Sequence, residues 1–152
     1  MRVKDDPSVL RRGFTLPEML IAIVIIVLLA AMAAPATAKQ LRRGRVNQAA
    51  NVVAADLENA VSSASRLRKP VRITRTSSTS FTVTDRNTGA VIQRRELGVD
   101  TEWKVTAVTF STATVDVFPS GITSASLTVT IGEGGYSRQV RLSRAGLGQV
   151  IQ

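Results

Sequence analysis

The sequence contains no cysteine and no histidine among its 152 residues. These absences exclude disulfide bonds, thiol chemistry and the most common protein ligand for transition metals. They also remove the side chain that most often acts as a general base near neutral pH. Carboxylates remain, but no pair has a recognisable catalytic spacing, and no phosphate-binding Gly-Lys-Ser/Thr motif is present. We therefore predict a protein that is not an enzyme and that holds no metal or cofactor.

Aromatic and acidic residues are also scarce. The chain has one tryptophan, one tyrosine and four phenylalanines, which leaves few rings on which nucleic-acid bases could stack. Its 11 acidic residues are outnumbered by 20 lysines and arginines, so the net charge is +9. A basic chain favours anionic partners such as nucleic acid, phospholipid headgroups or polysaccharide, and the charge alone does not distinguish among them.

What the sequence has in abundance is one apolar run near the N-terminus. From Met19 to Ala38 there are twenty consecutive residues without a charge. That length is sufficient for a helix to cross a hydrocarbon layer of about 30 Å. A buried helix of a soluble protein would normally carry a polar stripe, and this run has none. We therefore predict a membrane-spanning segment over residues 14–38, preceded by a charged leader over residues 1–13.

The helical pattern continues beyond this run with a different character. Apolar residues recur at three- and four-residue steps, with polar residues such as Asp56 between them, which predicts an amphipathic helix over residues 39–69. The residues of its apolar face are Val46, Ala50, Val53, Leu57, Val61, Ala64 and Leu67. Pro35 is expected to kink the helix, and Lys69-Pro70 to end it. Both parts together predict one helix of roughly fifty residues, on the order of 75 Å long.

Residues 70–152 have the pattern of an antiparallel β domain. Valine and threonine dominate segments in which apolar and polar residues alternate, as in half-buried strands. The segments are Val71 with Ile73, Phe81 with Val83, Val105 to Phe110, Val115 with Val117, Leu127 to Ile131, and Val140 with Leu142. Turn signals lie at residues 85–89 and 132–135. The predicted fold class is α+β: a long N-terminal helix packed on a C-terminal antiparallel β-sandwich-like domain.

The segment directly before the apolar run, Arg11 to Glu18, reads Arg-Arg-Gly-Phe-Thr-Leu-Pro-Glu. It resembles the processing site of type IV prepilins and type II secretion pseudopilins. In that family a prepilin peptidase cuts after a glycine at the end of a basic leader and methylates the new N-terminal residue. The resemblance implies cleavage between Gly13 and Phe14 and N-methylation of Phe14. Glycine suits a scissile position because it lets a protease approach the backbone closely.

Two further positions match the same family. Glu18 corresponds to an acidic residue four positions beyond the new N-terminus, and Pro35 to a frequent helix-kinking proline. The resemblance implies that Glu18 pairs with the N-terminal amine of a neighbouring subunit and so sets the axial register of a filament. A carboxylate inside an apolar run is costly and normally has a partner. The alternative is that Glu18 stays at the membrane interface and never enters the hydrocarbon.

The C-terminal half resembles the GspH/FimT family of minor pseudopilins and minor pilins. The matching stretches are Val117–Gly121, Leu127–Ile131, Arg138–Ser143 and Gly146, where that family has a phenylalanine and a glycine before two last strands and a small glycine-containing tail. The resemblance implies a pilin-like fold, with other pilins or pseudopilins as partners. It also implies a subunit of a type II secretion pseudopilus or a type IV pilus-like filament, involved in protein secretion.

Some FimT-type members bind DNA for natural transformation through arginines in the C-terminal tail. Here the residues after Gly146 contain no arginine. Arg138, Arg141 and Arg144 lie nearby, and because alternate residues of a strand share a face, they are candidates for a small anion- or DNA-binding patch. The missing tail arginines and the scarcity of aromatic rings favour a structural filament subunit over a DNA receptor.

Two other export routes fit parts of the N-terminal sequence. Ala36-Thr37-Ala38 matches a signal peptidase site, and cleavage there would release a secreted β-domain. Arg11-Arg12 with Phe14 resembles a twin-arginine signal. The apolar run is longer than a typical signal-peptide core and too hydrophobic for the twin-arginine route, and the helical pattern continues beyond it. These observations favour the prepilin interpretation.

The apolar run and the processing motif together predict a single-pass protein of the inner membrane, in contact with its lipid. The β domain is then expected in the periplasm or outside the cell, as part of a pilus or pseudopilus. The charges do not orient the chain independently, because four lysines or arginines precede the run and four follow it closely.

Overall fold

The computed structural model describes residues 13–151, which form one long helix followed by eight strands. The helix α1 is Leu16–Leu67. The strands are β1 (Val71–Arg75), β2 (Ser80–Asp85), β3 (Val91–Glu96), β4 (Ala107–Phe110), β5 (Thr114–Val117), β6 (Leu127–Glu133), β7 (Tyr136–Leu142) and β8 (Gly148–Ile151). The chain divides into two compact units after Ala38, so the first part of α1 belongs to one unit and its remainder, with the strands, to the other. The predicted leader, apart from Gly13, lies outside the described residues.

The first turn of α1 contains one arm of a capping box. The carbonyl of Thr15 accepts the amide of Met19 at 3.1 Å, and the amide of Thr15 lies 3.5 Å from Oε2 of Glu18. A glutamate at this position can satisfy an amide that has no partner within the helix. Pro17 falls in the same turn, where a missing amide hydrogen costs no helical hydrogen bond. The proline and the glutamate therefore both suit the start of the helix.

α1 ends in a Schellman motif that has arginine in place of the usual glycine. Arg68 adopts a φ of 54°. Its amide bonds the carbonyl of Ser65, and the amide of Lys69 bonds the carbonyl of Ala64, both at 3.3 Å. Pro70 follows and cannot continue the helix. The helix therefore ends at Leu67, two residues before the predicted boundary at residue 69, because the chain leaves the helix at Arg68.

The apolar part of α1 is exposed and is not covered by the other described residues of its own unit. Every residue from Phe14 to Ala38 is exposed, and none of the stretch that could span a membrane is buried. A core helix of a soluble domain would instead be mostly buried. Among the described residues, α1 is the one helix whose length and composition suit a membrane crossing.

The second part of α1 buries one face, as the amphipathic pattern predicts. Its buried residues are Val46, Ala49, Ala50, Val53, Asp56, Leu57, Ala60 and Ala64. Ala49 and Ala60 are buried in addition to the predicted face, and Val61 is only partly buried. Two further positions contradict the prediction. Leu67, expected on the apolar face, remains 45% exposed because the chain turns out of the helix at Arg68. Asp56, expected among the polar residues between the apolar positions, is only 3% exposed.

The strands form two four-stranded antiparallel sheets, with the orders β3-β2-β1-β5 and β4-β6-β7-β8. Both sheets and α1 contribute side chains to one apolar cluster. Phe81 of the first sheet and Phe110 of the second lie in it with their ring centroids 5.8 Å apart. In β6, Leu127, Val129 and Ile131 are fully buried and alternate with partly exposed residues. This arrangement confirms the predicted α+β class, with a helix packed on antiparallel sheets.

Two segments differ from the strand prediction. The alternation predicted from Val105 begins later, because β4 starts at Ala107 and the amide of Val105 bonds the carbonyl of Leu97 at 2.9 Å in the preceding connection. The residues after Gly146, which the family resemblance predicts as a small tail, form the edge strand β8 against β7.

Candidate functional site

The predicted cleavage site lies just before α1. Gly13 and Phe14 belong to no helix or strand, and Phe14 is 77% exposed. A β-carbon added at Gly13 would meet no atom within 4 Å. Packing therefore does not require a glycine at this position, and close access to the peptide bond remains as a physical reason for it.

Glu18 lies in the first turn of α1 with its side chain exposed. Within residues 13–151 its carboxylate makes one hydrogen bond, a long one of 3.5 Å from the amide of Thr15 to Oε2. The positive end of the helix dipole also favours a carboxylate there. A carboxylate can accept about four hydrogen bonds, so most of its capacity is available for a second partner such as an amine.

Pro35 interrupts the hydrogen bonding of α1 without ending the helix. Because proline has no amide hydrogen, the carbonyl of Ala31 loses its partner in the next turn. Thr37 then donates its hydroxyl hydrogen to the carbonyl of Ala33 at 3.2 Å, a contact that often bends helices. Both features support the predicted kink near the end of the apolar run.

The structure places the three candidate arginines in different surroundings. Arg138 is half-buried on the inner side of β7, and its Nε donates to Oδ1 of Asn47 on α1 at 2.9 Å. Arg141 pairs with Thr128 across the sheet and is exposed on the outer side. Arg144 is exposed in the turn before β8. Residues three apart on a strand point to opposite faces, so Arg138 and Arg141 do not share the face proposed for them.

A charged cluster that the sequence did not indicate joins α1 to the edge strand β3. Asp56 accepts two hydrogen bonds from the guanidinium of Arg95 and one from the side-chain amide of Gln93. The side chain of Asp56 is 4% exposed, and Arg95 lies over the ring of Trp103 at 5.6 Å. An open groove of about 520 Å³ runs beside these residues. Because both carboxylate oxygens accept hydrogen bonds from Arg95 or Gln93, we assign the cluster a structural role.

A second charged cluster lies on the outer face of the first sheet. Asp116 of β5 accepts hydrogen bonds of 2.7 and 3.1 Å from Arg72 of β1, and Arg86 approaches it at 3.1 Å. The Arg72 guanidinium, assisted by Arg86, holds the pKa of Asp116 below its ordinary value. At the β2–β3 turn, the backbone amide of Thr88 is the main cause of the lowered pKa of Asp85. Among the described residues no group of three acidic side chains could hold a metal ion.

Comparison with known families gives two matches. Residues 49–146, more than half of the chain, match the family described as type II transport protein GspH. Residues 10–34 match the prokaryotic N-terminal methylation motif. The first match covers most of the amphipathic helix and the β domain as far as the turn before β8, and the second covers the candidate cleavage site and most of the apolar run. No curated protein gives a significant match to the chain.

Two solved structures resemble the fold, and both are crystal forms of the type IV minor pilin FimU from Pseudomonas aeruginosa PAO1. The first is 18% identical over 72% of this chain and 90% of the FimU chain, with a TM-score of 0.60. The second is 17% identical over 70% of this chain and 92% of the other, with a TM-score of 0.57. At such low identity the likeness concerns the fold alone, which is pilin-like.

Proposed function

The chain belongs to the family of the type II transport protein GspH, and we propose that it is a structural subunit of a type II secretion pseudopilus or a type IV pilus-like filament. Its contribution to protein secretion is mechanical rather than enzymatic. A prepilin peptidase cuts between Gly13 and Phe14 and methylates Phe14. The mature protein stays in the inner membrane, with its β domain in the periplasm, until it joins other pilins or pseudopilins.

The observation that carries the proposal is an exposed apolar helix that follows an accessible glycine in the chain. The side chains from Phe14 to Ala38 are exposed in the isolated chain. Apolar surface of this extent is unfavourable in water and marks contact with lipid or protein. A membrane covers it before assembly, and the helices of neighbouring subunits cover it afterwards.

Glu18 has a specific role in the proposed assembly. Once apolar helices or lipid surround its carboxylate, the charge requires a partner. Cleavage creates a positive amine at Phe14, and the amine of a neighbouring subunit can supply that partner. Because the amine and the carboxylate occupy fixed positions on the chain, their pairing would set the axial offset between adjacent subunits.

The proposal is tested by the intact mass and N-terminal sequence of the protein recovered from host membranes. We expect the chain to start at N-methylated Phe14. A start at Lys39 would mean that signal peptidase releases a secreted domain, and the filament proposal would fail.

A pair of glycine variants tests the cleavage site itself. Gly13 and Gly44 both have open space around the position of an added β-carbon. Gly13→Val is expected to remain uncut, because a branched side chain would hinder the protease, whereas Gly44→Val is expected to be processed normally. Equal processing of both variants would argue against cleavage after Gly13.

A further inference from the structure

Four arginines come together where the second unit begins. Arg42, Arg43 and Arg45 lie in α1, and Arg138 comes from β7. Arg45 has a carboxylate partner, because its Nη1 lies 3.2 Å from Oε1 of Glu133. Within residues 13–151, the other three form no ion pair. This part of the surface therefore carries uncompensated positive charge contributed by both the helix and the sheet.

Two of these unpaired guanidinium groups lie close to the ring of Tyr136. The guanidinium carbon of Arg43 lies 5.5 Å from the ring centroid, and that of Arg138 lies 5.9 Å from it. Cation–π attraction favours each contact, but two positive charges around one ring repel each other. An anion bound between or beside them would relieve that repulsion.

Arg138 is held in position by one hydrogen bond, made through Nε, which leaves its two terminal nitrogens available. Its Nε donates to Oδ1 of Asn47 at 2.9 Å, and the hydroxyl of Tyr136 donates to the same oxygen at 3.1 Å. The two Nη groups of a guanidinium fixed in this way can bind phosphate oxygens with little further ordering.

Arg42 reaches the turn between β6 and β7. Its Nη1 lies only 3.0 Å from the place that a β-carbon of Gly134 would occupy, and Gly134 has a φ of 56°. The glycine therefore permits both the tight turn and the close approach of the arginine. The strand that follows this turn carries Tyr136 and Arg138, so the turn brings the third unpaired arginine to the same region.

The position of these residues in the chain indicates which anion they meet. Arg42 and Arg43 follow the last residue of the uncharged run, Ala38, by four and five residues. Basic side chains this close to a membrane span lie at the level of the lipid headgroups. A phospholipid phosphate is therefore within reach of a membrane-anchored chain, whereas a soluble anion has no comparable reason to be there.

We propose that Arg43 and Arg138 beside Tyr136, together with Arg42 at the turn between β6 and β7, bind the phosphate of an anionic phospholipid headgroup. We name these four residues the arginine collar. The collar would seat the β domain against the membrane surface before assembly, and it would release the lipid when the subunit leaves the membrane. The proposal rests on the membrane-anchored function proposed above.

The test uses the full-length protein in neutral detergent micelles, titrated with phosphatidylglycerol or phosphatidylcholine, with bound lipid counted by native mass spectrometry. We expect the wild type to retain phosphatidylglycerol preferentially. Arg138→Ala should weaken this binding about five-fold, because one basic side chain near an anionic membrane contributes about 1 kcal/mol. The matched control is Arg141→Ala, which removes the same charge from the outer face of the same strand. Equal binding by the two variants would overturn the proposal.

Arg138→Ala also removes the hydrogen bond to Asn47, so weaker lipid binding could result from a local folding defect. A second variant excludes this explanation. Arg42→Ala removes an exposed side chain that makes no such hydrogen bond in the described chain, and it should also lose about five-fold in phosphatidylglycerol binding. Unchanged binding by Arg42→Ala would contradict the collar even if Arg138→Ala were weakened.

Competition distinguishes lipid from other phosphates. Millimolar inorganic phosphate or a short DNA duplex should displace phosphatidylglycerol poorly, because neither is held at the membrane surface by an apolar anchor. Efficient displacement by either would overturn the assignment to lipid. The mass of the same samples reports processing at Phe14, so a failure of the collar can be distinguished from a failure of the proposed function.

Discussion

Two substitutions of Glu18 distinguish the role of its charge from the role of its hydrogen bond. We expect Glu18→Ala to leave processing largely intact and to weaken filament assembly, because the neighbouring amine loses its counter-charge. Glu18→Gln still offers an oxygen to the amide of Thr15 but carries no charge, so it should assemble as poorly as the alanine variant. The measurement is the fraction of mature protein recovered in the sheared filament. Normal incorporation of the glutamine variant would remove the register role.

The arginines proposed for DNA binding give a second prediction at the residue scale. The triple variant Arg138→Ala, Arg141→Ala and Arg144→Ala should bind duplex DNA no worse than the wild type, because Arg138 and Arg141 lie on opposite faces of β7 and so do not form one patch. Fluorescence anisotropy at several salt concentrations measures this binding. A clear loss of salt-sensitive affinity would favour DNA uptake instead.

Asp85 and Asp116 predict how stability depends on pH. Both have a lowered pKa in the folded protein, from backbone amides in one case and from Arg72 in the other. Their stabilising contribution is complete above the unfolded pKa of about 3.9 and is lost as the pH falls through the lower folded pKa. Urea unfolding of residues 39–152 should therefore show stability falling below about pH 4.

The double variant Asp85→Asn and Asp116→Asn should be less stable than the wild type at pH 7 and should show a shallower fall in acid. Asp100→Asn, at an exposed position, serves as the control and should keep the wild-type profile. If the stability of the double variant fell equally steeply below about pH 4, other carboxylates would be the cause of the fall.

At the scale of elements, the Asp56–Arg95 pair joins α1 to the exposed edge strand β3. Asp56→Ala would leave Arg95, whose side chain is 27% exposed, without its counter-charge. We expect a loss of about 3 kcal/mol in unfolding free energy, the lower end for breaking a buried pair, because Arg95 is partly solvated. Asp100→Ala should change stability by less than about 0.5 kcal/mol. Urea unfolding of both variants measures the difference, and equal stability would show that the pair is dispensable.

The elements best predicted from the sequence are those with a strong local signal. The periodicity of α1 and the alternation in β6 each follow from one buried face, which a single sequence reveals. The edge strand β3 is mostly exposed, so it has little apolar alternation. The partner of Asp56 lies on β3, and no local pattern shows that this aspartate faces a guanidinium rather than water.

At the scale of the whole molecule, the same contrast separates the two candidate sites. The cleavage site is a continuous motif beside a continuous apolar run, so its chemistry can be inferred without the fold. The arginine collar combines residues of α1 and β7 that are brought together by the tertiary structure alone. The sequence groups Arg138 with Arg141 because they are close in a predicted strand, but in the structure Arg138 contacts Asn47 and Tyr136 instead.

The two parts of α1 predict opposite results when each is removed. A fragment that begins at Lys39 loses the exposed apolar segment and keeps the buried face, so we expect a soluble, folded monomer. A fragment that begins at Pro70 also loses Leu57, which is fully buried, and the carboxylate of Asp56. Without them the two sheets expose their shared core and β3 loses its ion pair, so this fragment should be unfolded.

Size-exclusion chromatography and a ¹H–¹⁵N correlation spectrum distinguish these outcomes. The fragment from Lys39 should give dispersed amide signals, and the fragment from Pro70 should give signals collapsed into the random-coil range. Dispersed signals from the shorter fragment would mean that the sheets fold without their helix. The role of α1 would then be confined to the membrane and the filament, and the buried face from Val46 to Ala64 would contribute little to the stability of the β domain.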